Sequence, residues 1–317
     1  MKAWPHVMKS EPSSVLELQA LRSLFTLRIY NKMKIRSNPL PRRLADVLCF
    51  LLIGVFLPIV FMFEIIVVLP AFHEPGGFFH TFTFLMAMFL VFNIKGNMIA
   101  CMMIDTSVNV KQVEPPPEQS AERLEWRECT ECNRLAPPRS WHCKICGACI
   151  LKRDHHCLYT GCCIGHRNHR FFMGFIFYLF VGSVYALVYN SIYMWIIHSS
   201  IYCNWLTVLK LTCPMLLLVT GGFWTNIYLL FYSLNVLALA YGILLLGYHV
   251  PIVLRGGVSA DRTKQRKLKY KRGVRQNLRS VFGVRMHIAW LSPLIRSDLP
   301  DDGYHWRAST STKESED

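Results

Sequence analysis

The sequence predicts an all-α polytopic membrane protein: four transmembrane helices, with a cytosolic Cys/His-rich domain inserted between spans two and three. Three observations carry this. Of the 317 residues 52% are hydrophobic, and they gather in four blocks, Leu44 to Leu69, Phe78 to Ile104, Phe171 to Ile197 and Leu211 to Val253. Each block exceeds the ~20 helical residues needed to cross a hydrocarbon core. Eight of the twelve cysteines fall between Cys129 and Cys163. Finally, 33 of the 35 Lys and Arg lie in three segments, 1–43, 105–170 and 254–317. An even number of spans puts those segments on one side of the membrane, and the positive-inside rule makes that side cytosolic.

Residues 1–43 form a cytosolic basic arm in which Val15 to Ile29 reads either as a short amphipathic helix on the membrane face or as solvated chain. No hydrophobic stretch followed by small residues marks a cleavable signal, so the first span is expected to act as the anchor. Residues 44–104 hold transmembrane helices 1 and 2. The connection between them, Pro70 to Gly77, has no Lys or Arg, as the opposite side of the membrane requires. The net charge of +15 could mark a nucleic-acid partner, but beside membrane spans anionic lipid accounts for it, and no nucleic acid is expected.

Residues 105–170 form the cytosolic Cys/His domain, entered through a stiff extended linker at Pro115-Pro116-Pro117. Residues 171–253 hold transmembrane helices 3 and 4 with a lumenal loop. The last apolar block is too long for one span and nearly long enough for two, yet two would carry the fourteen positive charges of the tail across the membrane. One span near Thr225 to Tyr248 is expected, preceded by a lumenal or interfacial segment around Ile201 to Phe223, where Pro214 and Gly221-Gly222 break the pattern. Residues 254–317 form a cytosolic basic tail whose end, Ser309 to Asp317, reads as disordered.

The central domain runs Cys129-x2-Cys132, then His142-Cys143-x2-Cys146-x2-Cys149, then Asp154-His155-His156-Cys157, then Cys163. A Cys-x2-Cys pair can grip one tetrahedral zinc with both sulfurs, and several such pairs with interspersed His mark structural zinc sites. Disulfides are the other reading, but a cytosolic loop sits in a reducing compartment where thiols persist. So polar a loop has little material for an apolar core, and bound metal is expected to supply its folding energy. Two tetrahedral sites need eight ligands from eight Cys and three His. Spacing does not say which three residues are left over.

This order of residues, with Cys163, Asn168 and Phe172 following, closely resembles the cysteine-rich domain of the DHHC protein S-acyltransferases, commonly called palmitoyltransferases. The four spans and the position of the loop agree with that family, and Asn277-Leu278-Arg279-Ser280-Val281-Phe282-Gly283 with Trp290 and Pro293 is similar to its C-terminal segment. The resemblance implies two structural zinc ions, one held by Cys129, Cys132, His142 and Cys149, the other by Cys143, Cys146, His156 and Cys163. His155, Cys157 and Cys162 are then free of metal. Cys157 would attack the thioester of an acyl-coenzyme A, palmitoyl-CoA above all, and pass the acyl group to a protein cysteine near the membrane. His155 would act as general base, oriented by Asp154, because an unperturbed thiol of pKa ~8.5 is only a few per cent thiolate at neutral pH.

Alternatives exist for each role: Asp154 could fix a zinc-bound histidine, His155 could bind zinc in place of His156, and Cys162 could be a spare thiol, a substitute ligand or an acyl acceptor. Arg139 and Lys152 lie where the family tends to be basic and are candidate contacts for the coenzyme A phosphates. Their other reading is positive-inside charge. The chain departs from the family pattern at Leu158-Tyr159, where Pro-Trp is usual, and at Gly161-Cys162, where Asn-Asn is usual. It also lacks a Thr-Thr-x-Glu motif after the fourth span, Ser259 to Lys264 being the nearest stretch.

Cys157 lies fourteen residues before Phe171, close to the bilayer where an insoluble acyl chain resides. The third span is rich in aromatics, and its Gly174 and Gly182 suit either close helix packing or a longer cavity. The resemblance places the protein in the endoplasmic reticulum or Golgi membrane. Rival readings are an inactive zinc-stabilised adaptor of the same family, a RING-like ubiquitin ligase, which requires longer gaps between ligand pairs, and a channel, for which Glu64 and Lys95 are the few ionisable candidates inside spans.

Overall fold

A computed structural model describes residues 34–108, 115–259 and 272–306. The arm helix expected at Val15 to Ile29 and the tail Ser309 to Asp317 lie outside the described residues. Among the described residues four helices are long and apolar enough to cross a membrane: α1 (Leu44–Ala71), α2 (Phe78–Met103), α3 (His169–Ile197) and α5 (Phe223–Leu254). Between α3 and α5 no described helix is long and apolar enough to cross. The chain there forms a short helix α4 (Trp205–Thr212) and a 3-10 turn at Pro214–Leu218, so the long fourth block does divide into an irregular segment and one span. That span continues past the expected end at Tyr248 to Leu254.

The spans are unequally buried because α3 packs between α2 and α5. Half of the apolar window of α3 is buried, against 11% for α1. The core joins Leu90, Ile94 and Met98 of α2 to Phe171, Phe172, Phe175 and Ile176 of α3. Gly174 lets α2 and α3 approach: a Cβ there would sit 2.7 Å from Oδ1 of Asn97, so this glycine serves packing rather than a cavity. The two candidates for ionisable channel residues, Glu64 and Lys95, are tied within the bundle. Glu64 accepts from Nδ2 of Asn190 at 2.6 Å, and Lys95 donates to the Gly54 carbonyl.

The Cys/His domain is where the all-helical expectation stops. Its ligand segments form three antiparallel hairpins: β1 (Arg127–Cys129) with β2 (Arg134–Ala136), β3 (Trp141–Cys143) with β4 (Ala148–Ile150), and β5 (His155–Cys157) with β6 (Cys162–Ile164). Strands of three residues carry too little periodicity to be read from sequence. Their register does chemical work, because side chains of a strand alternate between faces. His142 faces Cys149 and His156 faces Cys163 across their hairpins. His155 and Cys157, on either side of His156, project together from the other face. The β5–β6 turn needs a residue at φ +57°, supplied by Gly161, where a Cβ would also collide with Pro41 at 2.5 Å.

A last helix, α6 (Val274–Phe282), packs against α5 and α3. It brings the C-terminal segment beneath the Cys/His domain.

Candidate functional site

Two clusters of metal-ligating atoms form from the hairpins. One joins Cys129, Cys132, His142 and Cys149, the other Cys143, Cys146, His156 and Cys163, and within each cluster the donor atoms lie within 4.8 Å of one another. Zinc bound tetrahedrally at ~2.3 Å to sulfur and ~2.1 Å to nitrogen requires S···S edges of roughly 3.8 Å and S···N edges of roughly 3.6 Å. In the first cluster Sγ of Cys132 is 3.2 Å from Nδ1 of His142 and 3.8 Å from Sγ of Cys149. In the second, Nδ1 of His156 lies 3.8, 3.4 and 3.9 Å from the sulfurs of Cys143, Cys146 and Cys163. Both donor sets, three thiols and one imidazole, fit zinc.

The second cluster is tied to the first span. Nε2 of His156 is 3.3 Å from Oδ2 of Asp46, a carboxylate 1% exposed in the first turn of α1. A carboxylate on the far nitrogen of a metal-binding imidazole fixes its tautomer and orientation. Sequence reasoning passed over Asp46, although a lone acid at the head of an apolar span is an available signal.

On the opposite face of β5 lies a separate trio. Nδ1 of His155 and Oδ2 of Asp154 are 2.6 Å apart, and the imidazole also interacts with the Cys157 thiol two residues on. Asp154 and Cys157 are buried, 3% and 5% exposed. The His155 ring packs between Phe172 at 4.8 Å and His249 of α5 at 5.2 Å. Cys157 belongs to the apolar core that runs up between the spans, so the thiol sits at the foot of the helical bundle. Asn168 fixes this placement by donating to the carbonyls of Cys101 and Cys163 at 3.2 and 3.0 Å and accepting from the Gly165 N–H at 2.8 Å.

The electrostatics favour an ion pair. Burial opposes charge on both members, yet the His155 hydrogen bond and charge hold the Cys157 thiol below its ordinary range, with help from Thr160. Burial likewise works against His155, but Asp154 and Cys157 outweigh it and raise the imidazole to about 9. Asp154, despite burial, is held well below the usual carboxylate range by His155 and the neighbouring imidazoles. The pair is therefore biased toward a proton on His155 and a thiolate at Cys157.

Cys162 is a different thiol. It is 1% exposed, donates to the Cys101 carbonyl and to Oγ1 of Thr160 at 3.4 Å each, and burial pushes it up to about 12. It lies in neither cluster and is inert as a nucleophile.

Arg139 and Lys152 are 5% and 2% exposed. Arg139 donates to the Gly256 carbonyl at 2.9 Å and lies 4.8 Å from the Trp306 ring. Lys152 reaches Oγ of Ser280 at 3.4 Å and the same ring at 5.4 Å. Both adopt left-handed backbone, φ 62° and 42°, a conformation that non-glycine residues keep only when their surroundings hold it. The geometry engages these cations in docking the Cys/His domain onto the C-terminal segment.

Two further residues of the trio's surroundings escaped sequence reasoning. Ser259 donates to both oxygens of Asp154. Nδ1 of His249 lies 3.5 Å from Oδ2 of Asp154; a histidine inside an apolar block was its signal.

Comparison with known proteins agrees with this arrangement. The DHHC palmitoyltransferase family matches residues 122–269. "Probable palmitoyltransferase ZDHHC24" of Danio rerio is 28% identical over 189 residues, 59% of this chain and 63% of that protein. The protein of the same name from Rattus norvegicus is 29% identical over 201 residues, 58% and 65% of the two chains. "Palmitoyltransferase ZDHHC7" of Mus musculus is 28% identical over 170 residues, 53% and 51%. The chain thus covers less than two thirds of the length of these relatives. Both Cys/His clusters and the Asp154-His155-His156-Cys157 segment lie inside residues 122–269, the part of the chain that matches the DHHC palmitoyltransferase family.

Proposed function

We propose that the protein transfers long-chain fatty acyl groups, palmitoyl first among them, from acyl-coenzyme A to cysteine thiols of proteins, by two steps through an acyl-enzyme at Cys157. The observation that carries this reading is a buried thiol, paired with His155 and Asp154 and outside both metal clusters, at the foot of an apolar bundle.

In the first step the Cys157 thiolate attacks the thioester carbonyl, the carbon–sulfur bond to coenzyme A breaks, and the departing thiolate takes the Nε2 proton of His155. In the second, a substrate thiol gives its proton to that nitrogen and attacks the acyl-enzyme, which restores the Cys157 thiolate. Asp154 holds Nδ1 throughout, so Nε2 always faces the reacting sulfur. Zinc at the two clusters would clamp His156 and Cys163 on either side of the nucleophile and take no part in the bond changes. The departures at Leu158-Tyr159 leave the trio intact: Leu158 is exposed, and Tyr159 packs on Tyr241 with ring centroids 5.4 Å apart.

The charge distribution supports a cytosolic domain and cytosolic termini, which would place Cys157 against membrane-proximal cysteines of protein partners. The endoplasmic reticulum or Golgi membrane is the compartment proposed. The test is incubation of the purified protein with a clickable palmitoyl-CoA, followed by a cysteine peptide. A hydroxylamine-labile label on Cys157 that moves to the peptide is expected. A protein that retains both metals and never acquires the label is the inactive adaptor, and the reading fails.

A further inference from the structure

We infer that Asp154, His155 and His249 form a third metal site, at which a divalent transition metal such as Zn2+ binds reversibly and stops acyl transfer. One donor atom from each of these residues lies within 4.8 Å of the other two. They come from three places in the fold: the turn before β5, β5 itself, and the Leu254 end of α5.

His249 supplies the observation that points to a ligand. It is 4% exposed, and its Nδ1, aimed at the carboxylate, makes no hydrogen bond. Buried polar nitrogens are seldom left unsatisfied, and one that is calls for an explanation such as an ion. The 3.5 Å separation of this nitrogen from Oδ2 of Asp154 is close to the edge of a tetrahedron with ~2.0–2.1 Å bonds. Between His155 Nδ1 and Oδ2, now 2.6 Å apart, the ring need swing by less than ~1 Å to admit an ion on the same geometry.

Two imidazoles and a carboxylate with a fourth position open are a donor set suited to zinc and its borderline neighbours. The path in is the edge of His155, whose side chain is 28% exposed while those of its two partners are nearly closed off. Lacking a thiolate, and requiring a hydrogen bond to open, this site is weaker than either Cys/His cluster.

Occupancy has a definite consequence, which rests on the acyltransferase reading. In the acyl-enzyme His155 is neutral and carries its one proton on Nδ1; the metal takes that place and the proton moves through solvent to Nε2. Nε2 then has no lone pair left to receive another. An incoming thiol then cannot be deprotonated, and the acyl-enzyme persists.

The experiment is equilibrium dialysis of the membrane-reconstituted protein against buffered free Zn2+, with metal counted per chain, beside release of acyl label from preloaded Cys157 to a peptide. Wild type is expected to rise from two to three zinc ions and to lose at least tenfold in release rate over the same range of free zinc. A weak chelator should restore both while two ions stay bound. His249→Phe and His249→Gln should stop at two ions, which also certifies that each variant is folded, and their release rates, relative to their own metal-free values, should not respond to zinc. A wild type that saturates at two, or His249 variants that still take a third ion, overturns the site. Three ions with unchanged release overturns the inhibition. The ion count needs no activity, so it decides the site even where acyl transfer itself is not found.

Discussion

Ser259 donates its backbone N–H to Oδ1 of Asp154 at 2.6 Å and its hydroxyl to Oδ2 at 3.1 Å. Because Ser259 follows α5, this pair of bonds ties the orientation of the Asp154–His155 couple to the position of the fourth span. A hydrogen bond to a charged group contributes about 1.5–3 kcal/mol, and ~1.4 kcal/mol is a tenfold change in rate. Ser259→Ala keeps the N–H bond and loses the hydroxyl. Acyl loading of Cys157 should slow by about tenfold with both metals retained, measured as the rate of label uptake from acyl-coenzyme A. An unchanged rate would remove Ser259 from the account.

The ion pair predicts a pH profile. With the thiol held down by His155, loading should persist below the ordinary thiol range and fade only as pH drops through the lowered Cys157 value. On the alkaline side it should decline above about 9, where the imidazolium is lost. In His155→Ala burial is opposed only by Thr160 and the thiol moves up, so loading at neutral pH should fall by about 10²–10⁴-fold and recover as pH rises. A variant profile parallel to that of wild type would contradict the pair.

Asp46 links the first span to the second metal cluster. Losing a carboxylate behind a metal-binding imidazole lowers metal affinity by about 10–100-fold. Asp46→Ala should therefore release one zinc to a competing chelator at concentrations that leave the other in place. Simultaneous release of both, or of neither, would contradict this division of ligands.

Gly174 and Gly182 face the same helix with different tolerance. An added methyl at Gly174 meets Asn97 at 2.7 Å, and the amide of Asn97 is itself bonded to the Asn93 carbonyl at 2.9 Å. At Gly182 it meets only the terminal methyl of Ile94 at 3.3 Å. Overpacking a well-ordered core costs about 1–3 kcal/mol. Gly174→Ala should lower the thermal midpoint in detergent clearly, and Gly182→Ala much less.

How much of this was legible in the sequence depended on the range over which each signal acts. The spans follow from uninterrupted apolar length, which is a local property. Metal binding in the loop follows from Cys-x2-Cys and His-Cys spacing, because a tetrahedral site constrains neighbours a few residues apart, whereas the division of its donors into two sets came from the family resemblance. The hairpins are too short to announce themselves, yet their alternation separates His155 and Cys157 from His156. Asp46, His249 and Ser259 reach the site only through tertiary contacts, 110, 95 and 105 residues from their partners His156, Asp154 and Asp154. No local pattern encodes such meetings. Arg139 and Lys152 illustrate the converse: a basic residue in a polar loop looks exposed until the C-terminal segment, with Trp306, is seen to cover it.

The most direct measurement pairs acyl-label uptake with zinc content in wild type and Cys157→Ser. The account predicts that wild type becomes labelled at residue 157, while the serine variant stays unlabelled and still holds two zinc ions. A serine variant that takes up label as wild type does, or that loses one of its metals, would contradict a free nucleophile at position 157.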